Sequence, residues 1–239
     1  MKHTKEFEKL IDENINDEQY IGLGNPNAKI LFIGKEAGLE IGTKLIYGSA
    51  SSWKKQNDYS IRYFPVEKKY KNGNHTWQKY QKLYELITNE SSKENYEITF
   101  VENIFTTELS NLPAPKSGEA KSLLNFKENL KKRKETFWQS DFIKGFKIIV
   151  ITASDNDYIE TYKGEVCELF GVNFHKELIC EKGGKLWIHY SDNINSPKLV
   201  IHTRQLTNGA STDLLYKISE IIKDFAKEHS INIKVKADL

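Results

Sequence analysis

Two strand-to-loop junctions hold the side chains of this chain that could do acid–base chemistry. Lys29-Ile30-Leu31-Phe32-Ile33-Gly34 is an apolar run that ends abruptly in Lys35-Glu36-Ala37-Gly38. Lys198-Leu199-Val200-Ile201 runs into His202-Thr203-Arg204-Gln205-Leu206-Thr207. In an open α/β sheet, ligands bind outside the carboxyl ends of the strands. A carboxylate after one strand and a histidine after another are therefore placed to face one pocket. Glu36 would act as a general base on water or steady a developing cation. His202, as a neutral imidazole, would donate to a carbonyl on a leaving group. Gly34 and Gly38 would let the backbone turn and approach a ligand. A third element is Phe100-Val101-Glu102-Asn103-Ile104, which sets Asn103 at the end of a strand over Tyr96–Ile104. An amide that donates and accepts at once suits reading the edge of a base. Each element also has a plain structural reading: a solvent-facing turn glutamate, a satisfied histidine, a strand-end asparagine, and Leu206 packed under its loop.

The elements that would position these residues follow from periodicity. Phe7, Leu10, Ile11 and Ile15 mark an opening helix, and Ala28 to Ile33 a strand covered on both faces. Residues 38 to 75 form a long irregular stretch rich in glycine, lysine and aromatics. Trp77, Tyr80, Leu83, Tyr84 and Ile87 recur at helical spacing. A charged helix is expected over residues 119 to 138, a strand over Lys147–Ile151 and a helix over Asp157–Phe170. Short strands flank Gly183-Gly184, at Leu178–Cys180 and Leu186–Tyr190. Ser211 caps a last helix reaching about Glu228, and Ile231 to Val235 reads as an edge strand. Strands alternating with helices predict one α/β domain over residues 1–239. Its form is a three-layer sandwich around a mostly parallel sheet of about four strands.

Composition narrows the class. The chain has 239 residues, 38% of them hydrophobic and 28% charged, which fits a globular domain. A net charge of +2 names no partner by itself. The two cysteines, Cys167 and Cys180, are too few for a four-cysteine metal site and fit a reduced compartment. No run approaches the ~20 apolar residues of a membrane span, so a cytoplasmic protein is expected. Gly34-Lys35 lacks the spacing of a phosphate-binding P-loop. The basic residues Lys127, Lys131, Lys132, Arg133 and Lys134 read as a solvated helix face. Lys54, Lys55, Lys68, Lys69 and Lys71 are interleaved with Trp53, Tyr59, Tyr63, Phe64 and Tyr70, a pattern suited to phosphates and bases.

Jointly, these motifs resemble the uracil-DNA glycosylase superfamily. That family carries Gly-Glu-Ala-Pro-Gly, Gly-Gln-Asp-Pro-Tyr or Gly-Met-Asn-Pro-Gly after its first core strand, where this chain has Gly34-Lys35-Glu36-Ala37-Gly38. It carries His-Pro-Ser-Pro-Leu-Ser before its final helix, where His202 to Thr207 stand here. It also places a base-reading asparagine on an intermediate strand, matched by Asn103, and the order agrees over residues 28 to 228.

The resemblance implies a DNA glycosylase that flips a pyrimidine out of the helix and hydrolyses its glycosidic bond. Glu36 would activate water, and His202 would stabilise the leaving base. Asn103, Gly34 and Ala37 would hold the base, under a lid drawn from Tyr63 and Phe64, with Trp53 and Tyr59 as further candidates. Leu206 would wedge into the base stack, while Lys35, Arg204 and Thr207 would contact DNA. It implies a monomer with no cofactor, metal, iron–sulfur cluster or membrane. The departures are Ala37, Thr203 and Gln205 in place of prolines, and Arg204 and Thr207 in place of serines. They point from uracil toward a bulkier base, such as a modified cytosine in foreign DNA. Two other readings remain open: a non-catalytic DNA-binding protein on this scaffold, and an α/β hydrolase of small molecules.

Overall fold

The computed structural model describes residues 3–45, 47–55, 76–90, 98–160, 164–207 and 209–235. Its helices are α1 (Lys5–Asn14), α2 (Ala50–Lys54), α3 (Thr76–Thr88), α4 (Ser117–Ser122), α5 (Phe126–Glu135), α6 (Asp141–Lys144), α7 (Glu165–Phe170) and α8 (Thr212–Glu228). Its strands are β1 (Leu23–Gly24), β2 (Ile30–Gly34), β3 (Ile104–Glu108), β4 (Ile148–Thr152), β5 (Asn173–Ile179), β6 (Lys185–Tyr190) and β7 (Leu199–Thr203). They form one sheet in the order β1-β3-β2-β4-β7-β6-β5.

Among the described residues the sheet has seven strands where about four were expected. The inner strands β3, β2, β4 and β7 are parallel. The additions are β1, antiparallel on β3, and the β5–β6 hairpin, antiparallel on β7. Each inner strand alternates its buried residues between two cores. Leu31, Ile33, Ile149, Ile151 and Val200 face a core built with α1, α2, α5, α6 and α7. Ile30, Phe32, Ile148, Val150, Leu199 and Ile201 face a core built with α3 and α8. Burial of both faces explains the unbroken apolar runs. The chain steps from β2 to β3 in one direction and from β3 to β4 in the other. Right-handed crossovers then place α3 and the α5–α6 segment on opposite faces, and the three-layer sandwich follows.

Side-chain caps fix four helix starts, of which the one at Ser211 was read from the sequence. The side chains of Thr4, Ser49, Ser140 and Ser211 accept from the first-turn amides of α1, α2, α6 and α8. On α8, Leu214, Leu215, Ile218, Ile222 and Phe225 are buried, each worth about 1.5–3 kcal/mol of gross burial. Lys198 serves packing rather than chemistry. Its Nζ donates to Lys144 O at 2.9 Å and Phe170 O at 3.0 Å, closing the carboxyl ends of α6 and α7. Burial lowers its pKa to about 8.

The strand expected over Leu178–Cys180 runs over Asn173–Ile179 instead, and helix α2 lies inside the stretch read as irregular. Four further elements change. Of the strand expected over Tyr96–Ile104, residues 96 and 97 lie outside the described residues, and among the rest strand β3 begins at Ile104. Gln81 Oε1 takes the Thr99 and Phe100 amides at 2.8 and 2.9 Å, and Phe100–Glu102 turn in a 3₁₀ loop. Those amides are thereby withdrawn from the sheet. The helix expected over 119–138 splits, because Leu123 adopts an extended conformation between α4 and α5. Among the described residues of the Asp157–Phe170 segment, Glu165–Phe170 are helical, and Tyr158 and Ile159 bond back to Asp155 O in a turn. Ile231–Val235 forms no strand; Ile231 N returns to Ala226 O and Val235 N bonds the Asn103 side chain.

Candidate active site

The first junction reaches the rim as expected. Beyond β2 the chain keeps its register with the β3 side: Leu109 N donates to Gly34 O at 2.9 Å and Ser110 N to Lys35 O at 2.8 Å. This holds Lys35, Glu36 and Ala37 over the carboxyl ends of the parallel strands. Lys35 Nζ pairs with Asp155 at 2.9 Å, and Ser117 Oγ, from the first turn of α4, donates to Glu36 Oε1 at 2.7 Å. Burial, and then Glu36, push the Tyr158 hydroxyl well above its usual range, so it stays protonated.

A cavity of about 220 Å³ opens here, lined by Gly34, Glu36, Ala37, Trp77, Glu108 and Thr152 among others. It lies between β2 and β4, where the strand order reverses, the expected ligand crevice of such a sheet. Thr152 is pinned beneath it, its Oγ1 donating to Ile33 O at 3.0 Å and lying 2.9 Å from Tyr80 OH.

Glu108, the last residue of β3, is the residue the sequence reading missed. It sits in register with Gly34. Burial, then the charge of Glu36, push its carboxyl up to about 8, with Arg133 acting in the opposite direction. Among the described residues, Glu36 Oε2 and Glu108 Oε2 are both buried without a hydrogen-bond partner. Two such oxygens in one cavity are costly to folding, and this is typical of functional sites. A neutral carboxyl beside a second carboxylate is an acid–base pair. The available signal was a carboxylate at a strand's carboxyl end. Placing that strand over Tyr96–Ile104 hid it.

Glu108 also explains Gly34. A Cβ at position 34 would lie 2.8 Å from the Glu108 carboxyl carbon, nearer than real contacts allow. Gly34→Ala is therefore expected to displace Glu108, lowering stability by about 1–3 kcal/mol and cutting turnover. Thermal melts and assays on one preparation check both, and an unchanged pH profile would refute the contact. Gly38 meets nothing within 4 Å, so close approach does not require a glycine there.

Arg133 is not part of a solvated face. It is 1% exposed and lies beneath the carboxyl end of β3. Its guanidinium donates to Glu108 O, Gln19 Oε1, Tyr20 O and Thr107 Oγ1 at 2.7 to 3.3 Å and stacks on Phe137 at 3.8 Å. Lys132 and Lys134 pair with Asp17 and Glu165.

The second junction behaves differently from its reading. His202 is fully buried within β7, in register with Ile151 and Trp187, and its ring lies 5.5 Å from that of Trp187. It does not line the Glu36 cavity. The strand runs one residue further, to Thr203, so His202 stays in the ladder. Arg204 and Gln205 are the first exposed residues. Leu206 is 0% exposed in the α3–α8 core, which overturns the wedge. Thr207 Oγ1 bonds Thr76 Oγ1, pinning this loop to α3.

Asn103 is also displaced from the site. It precedes β3, at the amino end of the sheet, opposite to the cavity. Its Nδ2 donates to Tyr84 OH at 2.9 Å and its Oδ1 accepts from Val235 N at 2.8 Å. Trp53 is buried against Phe7 and Phe105 and donates to Gly22 O at 2.9 Å, so it cannot cover a base. Tyr59, Tyr63, Phe64, Lys68, Lys69, Tyr70 and Lys71 lie outside the described residues.

Among the described residues no histidine, cysteine and carboxylate group has metal-binding geometry, no helix is long and apolar enough to cross a membrane, and Cys167 and Cys180 are free. In comparisons with known proteins, no family model, curated protein or solved structure matches the chain.

Proposed function

We propose that the protein hydrolyses the N-glycosidic bond of a nucleobase seated between Glu36 and Glu108, as a glycosylase of unpaired pyrimidines in DNA. The observation that carries this reading is the carboxyl pair: Glu108, raised to about 8, beside Glu36 in one cavity. Glu36 takes a proton from water as the water oxygen bonds C1′ of the sugar. The bond from C1′ to the base nitrogen breaks. Glu108 gives its proton to the departing base, in place of the stabilisation that the family resemblance assigned to His202. Free base and an abasic sugar leave, and solvent restores both carboxyls. Trp77 offers a flat wall for stacking. The cavity of about 220 Å³ is in keeping with one single-ring base. The resemblance to uracil-DNA glycosylases is supported by Glu36 at the rim and by the four-strand parallel centre. It is weakened by the positions of Asn103, His202 and Leu206.

The buried Leu206 favours unpaired over duplex substrates, because no apolar side chain of that loop is free to fill the gap a flipped base leaves. Base release, followed by mass spectrometry on oligonucleotides bearing uracil or modified cytosines, tests the reading. Single strands are expected to react faster than duplexes. Glu36→Gln is expected to slow release about 10²–10⁴-fold with the melting temperature little changed. Absence of release from every substrate, or full activity in Glu36→Gln, would sink the assignment. The buried Leu206 also favours a second reading, in which the same chemistry acts on free nucleotides.

A further inference from the structure

A second cavity, of about 410 Å³, adjoins the first and shares Lys35 and Gln205 with it. It is built between the β7–α8 loop and the β5–β6 hairpin, the part of the sheet beyond the parallel centre. Lys35, Lys185 and Arg204 line it together with the polar side chains of Ser154 and Thr207, and among the described residues no carboxylate lines it. The hairpin is firmly seated. Thr203 Oγ1 donates to Lys185 O at 2.7 Å, and Leu186 pairs with Thr203. Glu177 orients two lining groups from outside: it pairs with Lys185 at 2.9 Å and accepts from Trp187 Nε1 at 2.7 Å. The exposed Arg204 belongs to no ion pair among the described residues. Ser154 N bonds Thr203 O at 3.0 Å, continuing the β4–β7 pairing to the cavity wall.

Three cations and two hydroxyl-bearing side chains converge here; Lys35 and Lys185 already pair with Asp155 and Glu177, which leaves the Arg204 guanidinium as the cation free to match a phosphate, with the other donors around it. We propose that this hairpin cavity binds a phosphate of the substrate whose base occupies the Glu36–Glu108 cavity. Lys35 lies at the boundary between the two. The inference rests on the glycosidase reading for the neighbouring base, while phosphate binding itself is measurable without turnover. The phosphate comes either from a single-stranded backbone or from a free nucleotide.

The test is binding of a labelled thymidine 12-mer over a range of salt concentrations, with Lys185→Ala, Arg204→Gln and the double variant compared with wild type. Melting temperatures confirm that the folds are equal. Each single variant is expected to bind about 3–10-fold more weakly, with a log–log salt slope shallower by about 0.7 per lost phosphate contact. On any cleaved substrate KM should rise while kcat holds. Displacement of the 12-mer by thymidine 5′-monophosphate assigns the site to a free nucleotide, and resistance assigns it to a strand; either supports a phosphate site. A double variant with wild-type affinity and salt slope overturns the inference, even if bases are released. Loss of binding in the variants without base release from any substrate upholds it and overturns the glycosidase reading instead.

Discussion

Glu108→Gln is expected to slow base release sharply and, at neutral pH, to make the protein more stable. The two effects have one cause. The carboxyl of Glu108 is raised from the ordinary 4.5 to about 8 by burial and by Glu36. In the unfolded chain it ionises near pH 4.5; in the folded protein it holds its proton until about pH 8. The folded state therefore binds more protons across that window. Stability is highest below pH 4.5, falls as the pH rises toward 8, and levels off beyond. Glutamine has the same shape and no proton to lose. The variant should match wild type at pH 4 and exceed it by on the order of 3 kcal/mol at pH 8, using about 1.4 kcal/mol per unit and allowing for the opening to the cavity. Turnover should drop about 10²-fold or more, since an amide donates a hydrogen bond but transfers no proton. Wild-type activity should fall above pH 8, and that limb should vanish from any residual activity of the variant. Denaturant melts at pH 5 and pH 8 decide the stability half. Equal pH dependence of the two proteins would show that Glu108 ionises normally.

Arg133→Met should be the most destabilising single substitution at the rim. It strips the donors from Glu108 O, Gln19 Oε1, Tyr20 O and Thr107 Oγ1, all brought together by one guanidinium that is 1% exposed. Burial lowers the Arg133 pKa to about 9, so it stays charged at neutral pH. Breaking a buried charged network costs about 3–5 kcal/mol. Arg133 also opposes the upward shift of Glu108. Its loss should move the alkaline limb of activity to higher pH, which a purely structural role would not do. Should the methionine variant fail to fold, Arg133→Lys keeps the charge without the fork. It should lose about half the stability and leave the limb near its wild-type position. An unmoved limb in Arg133→Met would separate Arg133 from the chemistry.

Sequence reading went furthest where one local rule had no competitor. The apolar runs before Gly34 and Thr203 had to be strands buried on both faces. Helix α8 announced itself through Ser211 and its inner stripe, and Glu36 at the rim followed from the end of β2. Reading failed where side chains from distant segments decided the backbone. Gln81 draws off the amides of Thr99 and Phe100, which shifts β3 onward and exchanges Asn103 for Glu108 at the rim. His202 and Leu206 were misplaced by one strand residue and by a packing partner. A ladder bond to Trp187 and a core shared with α3 are long-range facts that the His202–Thr207 motif does not encode.

The sequence by itself determined the α/β layering, the buried inner strands and the presence of a carboxylate at one strand end, because these depend on periodicity and near-neighbour geometry. Only the tertiary structure decided which second group faces Glu36. Register between β2 and β3 sets Glu108 opposite Gly34, and the missing Cβ of Gly34 leaves room for its carboxyl. Burial with Glu36 then gives that carboxyl its proton. A pKa is a property of surroundings, and those surroundings are assembled from residues that lie far apart along the chain.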